Sequence, residues 1–117
     1  MNWKFRGLDI NGKWYYGNLT IIETIKASIS QGYYISNSVG MPYAYKIRPE
    51  TATIFSGIKD KNGVEIYEGD RLGHRLNIVE FSNGCFNTNG DRPLYHQTGL
   101  EIAGNIFENV KEDNNGM

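Results

Sequence analysis

The chain is poor in the residues that anchor the common chemistries. In 117 residues it has one cysteine, three prolines and two histidines. Cys85 alone cannot close an internal disulfide, so nothing asks for an oxidising compartment, and a cytoplasmic protein is expected. No apolar run approaches the roughly 20 residues that cross a bilayer as a helix. The opening stretch MNWKFRGLDI also lacks the apolar core of a signal peptide, so neither membrane insertion nor secretion is expected. His74 and His96 have no Cys or His neighbour at ligand spacing, which leaves no zinc signature. Charge of one sign is missing too. A formal net charge of −1 lacks the basic footprint that nucleic-acid binding usually leaves. No Walker loop, Rossmann glycine pattern, nucleophile elbow or metalloprotease helix occurs, so no catalytic residue, metal or cofactor is assigned and no enzyme is expected.

What the chain has is glycine, asparagine and aromatic rings. Asn-Gly recurs at Asn11-Gly12, Asn62-Gly63, Asn83-Gly84, Asn89-Gly90 and Asn115-Gly116. Both residues tolerate positive φ, which type I′ hairpin turns require at their two central positions. WKFRGLDI leads through the first pair into KWYYGNLTII, with Trp3 and Phe5 sharing one face and Trp14 and Tyr16 sharing one face of the returning strand. NIVEF and CFNT flank Asn83-Gly84 in the same way. These features predict antiparallel hairpins. Ile22, Ile25 and Ile29 fall at helical spacing, but the same stretch reads equally as β-branched strand, so at most one short helix is expected. An exposed loop is expected within residues 31–44, and a frayed tail over residues 111–117.

The stretch GIKDKNGVEIYEGDRL concentrates Glu65, Glu68 and Asp70. A strand after Asn62-Gly63 would put Val64 and Ile66 on one face and Glu65 and Tyr67 on the other. Gly69 and Asp70 would then form a turn in which the carboxylate accepts backbone amides. Carboxylates used for acid–base work need a third group and a pocket, and the stretch supplies neither. Cys85 reads as a small hydrophobe in a strand.

PETATIFSGIKDKNGVEIYEGDRL closely resembles the signature block of the YopX family of phage and prophage proteins. KFRGLDINGKWYYGNL near the start and EIAGNIFEN near the end resemble that family's opening hairpin and closing strand. The three stretches run in the family's order from Lys4 to Asn109. The resemblance implies a small, β-rich, phage-encoded protein built around a compact barrel and able to form homo-oligomers; it brings no active-site motif. The expected architecture is therefore mostly β. Residues 1–48 would form an aromatic β-hairpin region, and residues 49–110 a small SH3-like or related β-barrel. Arg71 departs from the family, standing where an apolar residue usually follows EGD, and the link GHRLN after it is short and basic.

Two groups of residues are candidates for binding. Arg71, His74 and Arg75 would form a cationic hairpin tip suited to a phosphate or an acidic protein surface. Tyr43 and Tyr45 adjoin Lys46 and Arg48 beside the expected loop, a pairing of rings and cations that suits an anionic ligand or stacked bases. Charge is also divided along the chain. Up to Arg48 six cations face two anions, a balance of +4; from Pro49 onward six cations face eleven anions, a balance of −5. That division fits two halves that complement each other within one fold; pairing between copies, or a basic face for an anionic partner, is the alternative. The expected function is an accessory protein that binds a host protein, to redirect a host process or block a defence. An oligomeric binder of a nucleotide or other anionic small molecule is the alternative, and a single-stranded nucleic-acid module is a third reading disfavoured by the near-neutral charge.

Overall fold

The computed structural model describes residues 3–23, 30–37, 44–73, 77–89 and 92–108. Among the described residues, twelve short strands and two 3-10 turns make up the regular structure, every strand pairing is antiparallel, and there is no α-helix. The mostly-β, hairpin-based architecture is the expected one. Ile22 ends a strand, whereas Ile25 and Ile29 lie outside the described residues. The chain divides into two compact units between Ile54 and Phe55.

The first unit is built from β1 (Phe5–Leu8), β2 (Trp14–Ile22), β3 (Gly32–Ser36) and β4 (Tyr45–Ile47), in sheet order β4-β3-β2-β1. Part of the stretch expected to hold a loop is thus strand, because Tyr33, Tyr34 and Ile35 pair with both β2 and β4; residues 38–43 lie outside the described residues. The sheet curls strongly. Arg48 N, one residue beyond β4, donates to Leu8 O at the end of β1 at 2.7 Å, and the Leu8 amide donates to the Thr51 hydroxyl at 2.9 Å. Ile35 and Ile47 are buried within the curl, and Gly7 leaves room for Ile47 to cross it. Arg6 is buried as well: its guanidinium lies 4.6 Å from the centre of the Trp14 ring, and its Nε donates to Thr53 Oγ1 at 3.0 Å. The first residues of β5 (Thr53–Lys59) pair with β1, opposing Thr53 to Arg6 and Ile54 to Phe5.

In the second unit the rest of β5 pairs with β6 (Glu65–Tyr67), and two three-stranded sheets follow. One orders β12 (Ile102–Asn105), β7 (Asp70–Leu72) and β8 (Asn77–Ile78); the other orders β11 (Arg92–Pro93), β10 (Cys85–Thr88) and β9 (Glu80–Ser82). Val79 sits between β8 and β9, where the chain passes from one sheet to the other, and its amide and carbonyl bond to Asp70 O and Gly69 N. Because the strands divide between separate ladders, the described residues form no closed barrel. The core joins Ile66, Leu72, Val79 and Leu94, with Ile58, Phe86, Leu100 and Ile102 packed against them. Each fully buried aliphatic side chain here contributes about 1.5–3 kcal/mol.

The Asn-Gly turns are of two kinds. At Asn83-Gly84 both residues have positive φ, 53° and 83°, as a type I′ turn requires. At Asn11-Gly12 and Asn62-Gly63 only the glycine does. An aspartate two residues before the asparagine sets that geometry. Asp9 Oδ1 accepts the amides of Asn11 and Lys13, while Gly12 N donates to Asp9 O; Asp60 Oδ1 accepts those of Asn62 and Val64, while Gly63 N donates to Asp60 O. The same D-x-N-G turn therefore closes a hairpin in each unit, a type I turn with a glycine bulge in place of the expected type I′.

Candidate functional site

The carboxylates of the signature stretch do not converge on one another. Asp70 is 2% exposed and accepts the Tyr67 amide at 2.8 Å, closing the turn through Gly69. Glu65 accepts the Tyr67 hydroxyl at 3.1 Å. Asp60 accepts three backbone amides, those of Asn62 and Val64 and, from β12, Ile102 at 3.2 Å. These bonds, the one from Val64 foremost, hold its carboxyl below the usual carboxylate range against the opposing effect of burial. Among the described residues no group of three His, Cys, Asp or Glu side chains is placed to hold a metal ion. One expectation for this stretch is corrected: Val64 is exposed and Tyr67 buried. Val64 directly follows the turn glycine and is spent on the turn, whereas Tyr67 packs its ring 5.5 Å from that of Phe55.

Of the expected cationic tip, Arg71 is described and His74 and Arg75 lie outside the described residues. Arg71 Nη2 donates to Glu108 Oε1 and to Ala103 O, each at 3.1 Å, so its charge binds β7 to the chain after β12. Gly104 makes the pair possible, because a β-carbon there would lie 2.6 Å from Arg71 Nη2 and 3.1 Å from Glu108 Cδ. Beside it, Gly69 O accepts the Ile106 amide, and Asn105 Oδ1 accepts that of Phe107. The YEGDR and AGNIFE stretches thus interlock, and the acidic block is a fastening.

In the first unit, Tyr43 lies outside the described residues; Tyr45 and Arg48 pack toward the β1–β2 hairpin, whereas the Lys46 side chain runs across β3 past Gly32. The Tyr45 ring stacks on Tyr15, with centroids 4.0 Å apart and planes 13° from parallel, and Lys13 Nζ lies 5.3 Å from the Tyr15 ring centre. Partial burial raises the Tyr15 phenol, reinforced by the Asp9 charge, a hydrogen bond to Asp9 and the neighbouring Tyr45. Arg48 Nε donates to Asp9 O at 3.0 Å and Nη2 to Ile10 O at 2.8 Å, so this cation clamps the turn. Lys46 is exposed and its ammonium donates to Ser30 Oγ at 3.3 Å.

A surface cleft of about 440 Å³ opens here, lined by Ile10, Lys46, Ile47, Arg48, Pro49 and Glu50. Sequence reasoning found Lys46 and Arg48 and missed the other four. The one local signal was Asp9 ahead of Asn11-Gly12, which fixes the turn that presents Ile10. Large apolar groups also remain open in this unit: Trp3, Ile10, Tyr16 and Ile21 are 63%, 61%, 44% and 47% exposed.

The family model described as YopX protein matches residues 4–111, nearly the whole chain. No curated protein and no solved structure matches it.

Proposed function

The chain belongs to the YopX family, and from that premise we propose that it is a phage-encoded accessory protein acting in the host cytoplasm by binding a host protein rather than by catalysis. The observation that carries this reading is how its side chains are used. Arg48, Arg71, Asp60 and Asp70 hold turns and strand junctions, while large apolar and aromatic side chains stand open on the first unit. Exposed rings and aliphatics beside a few cations are the composition of a protein-contact surface. Immobilised protein should retain one discrete host partner from a bacterial lysate, and replacing Tyr16 with Glu should release it. An empty column at micromolar protein would sink the proposal.

Lys46 at the rim of the 440 Å³ cleft favours a second reading, an oligomer that holds a nucleotide or other anionic small molecule. Native mass spectrometry of the protein purified from a bacterial host reports subunit number and retained mass together. A monomer without added mass would remove this second reading.

A further inference from the structure

Three Asn-Gly pairs lie wholly within the described residues, and their glycine nitrogens have different tasks. The pair is chemically distinctive: a glycine amide, unhindered by a β-carbon, can attack the asparagine side-chain carbonyl and close a five-membered imide. Closure needs that nitrogen to eclipse the asparagine β-carbon, which in an L-residue happens near a ψ of about −120°, the value of the first central residue in a type II′ turn. At Asn11-Gly12 and Asn62-Gly63 the nitrogen is in use. Gly12 N and Gly63 N close their turns by donating to Asp9 O at 3.1 Å and Asp60 O at 3.0 Å. Each asparagine is held too, its amide bonded to the aspartate Oδ1 at 2.8 Å. A carboxylate so near also opposes the amide anion that would attack.

Asn83-Gly84 has no such restraint. Both residues are exposed, with φ 53° and 83°, and among the described residues the Gly84 amide donates to nothing. The ends of this turn are held from below instead. Buried Asn87 donates through Nδ2 to Ser82 O and Ser82 Oγ at 3.0 Å and to Cys85 O at 3.1 Å. With Ser82 and Cys85 fixed, rotating the one peptide between Asn83 and Gly84 converts type I′ to type II′, and both are hairpin turns. That flip swings Gly84 N toward the Asn83 side chain and leaves the Asn87 clamp intact.

We propose that Asn83 is a site of intramolecular deamidation, and that Asp9 and Asp60 protect the same pair in the two D-x-N-G turns. Gly84 N gives its proton to hydroxide and bonds to Asn83 Cγ; the Cγ–Nδ2 bond breaks, and the leaving nitrogen takes a proton from water and departs as ammonia. Water then opens the imide at either carbonyl, giving aspartate or isoaspartate. Nothing is oxidised or reduced, and water is the one co-reactant. The product takes the formal net charge of −1 one unit further negative, beside Phe81, which is 53% exposed. Isoaspartate also adds a backbone carbon between Ser82 and Cys85, whose separation Asn87 sets, so the turn no longer fits its clamp. The change accumulates with the age of the molecule.

The test holds the intact protein in mildly alkaline buffer and follows Asn83, Asn11 and Asn62 in the same sample by peptide mapping with mass spectrometry. Asn83 should convert faster than either of the others by roughly tenfold or more, the factor expected where one or two net hydrogen bonds must first break. Its products should include isoaspartate as well as aspartate, and its rate should rise with pH. In concentrated urea the three rates should converge, because the protection is structural. Asp60→Ala should raise conversion at Asn62 by roughly tenfold while Asn11, in the other unit, stays slow, and Asp9→Ala should do the same for Asn11 alone. Equal rates at the three sites in the folded protein, a slower Asn83, aspartate as its sole product, or variants that raise both protected sites together would overturn the proposal.

Discussion

Ile47 lies across Gly7: a β-carbon at position 7 would stand 3.0 Å from both Ile47 Cβ and Cγ2 and closer still to its Cδ1. These two residues are 40 positions apart, and their contact is what the curl of the first sheet encloses. Gly7→Ala should therefore destabilise the protein by about 1–3 kcal/mol, the usual cost of forcing one carbon into a packed core. Urea denaturation measures it, and an unchanged midpoint would show that Ile47 can withdraw.

Gly17 and Gly104 make a contrasting pair. A β-carbon at Gly17 would meet backbone, lying 2.9 Å from Ser36 C and 3.1 Å from Asn37 Cα, and backbone in a paired strand cannot step aside. At Gly104 it would meet the ends of Arg71 and Glu108, two side chains that can swing away at the cost of their ion pair, worth about 0–1 kcal/mol at this exposure. Gly17→Ala should cost more than Gly104→Ala, and the penalty at 104 should shrink in an Arg71→Ala background. A double-mutant cycle read by thermal melts checks both.

Asn83 is one of two non-glycine residues with positive φ among the described residues. At φ 53° a β-branched side chain is strained, so Asn83→Val should cost about 1–2 kcal/mol, while Asn83→Gly should be close to neutral. Equal melting temperatures for the two variants would show that the turn has changed type.

Acid should act on the second unit through Asp60. Its carboxyl titrates below the ordinary value of 3.8, so its contribution is complete above that pH and is lost as pH falls through the depressed value. Asp60→Asn should lower the melting temperature at neutral pH and flatten the acid limb of the stability profile. The alkaline limb concerns Tyr15, whose phenol titrates above the ordinary 10.0. Its contribution is complete below pH 10 and falls away as pH rises through the raised value. Ultraviolet titration of wild type against Tyr15→Phe should show the missing phenol among the late ones, and Asp9→Asn should bring it earlier.

The parts of this fold that were legible in the sequence are those made by neighbours. Asn83-Gly84 marked its hairpin, and Gly69-Asp70 its turn, because the bonds that close them span a few residues. The turn type at Asn11-Gly12 and Asn62-Gly63 was decided by Asp9 and Asp60, two positions upstream of the pair that draws the eye. The alternation after Gly63 misplaced Val64 and Tyr67, since Glu68 and Gly69 end that strand after three residues and both Ile66 and Tyr67 are enclosed. Burial, not periodicity, settled it. The candidate site was half legible. Lys46 and Arg48 showed as cations beside rings, but the partner of Tyr45 is Tyr15, and the groups that hold Arg48 are carbonyls at positions 9 and 10. Carbonyls leave no mark in a sequence.

The twin D-x-N-G turns also bear on the order of events as the chain folds. Each is closed by bonds spanning two to four residues, so each hairpin can form in microseconds from its own residues, before distant segments meet. Arg48 reaches the first turn from 38 and 39 positions away, and Ile102 reaches Asp60 from 42. Those clasps arrive after the hairpins they secure. Shortening Arg48 would accordingly leave the refolding rate nearly unchanged and hasten unfolding, making the first turn a nucleus and its arginine a brake on the way out.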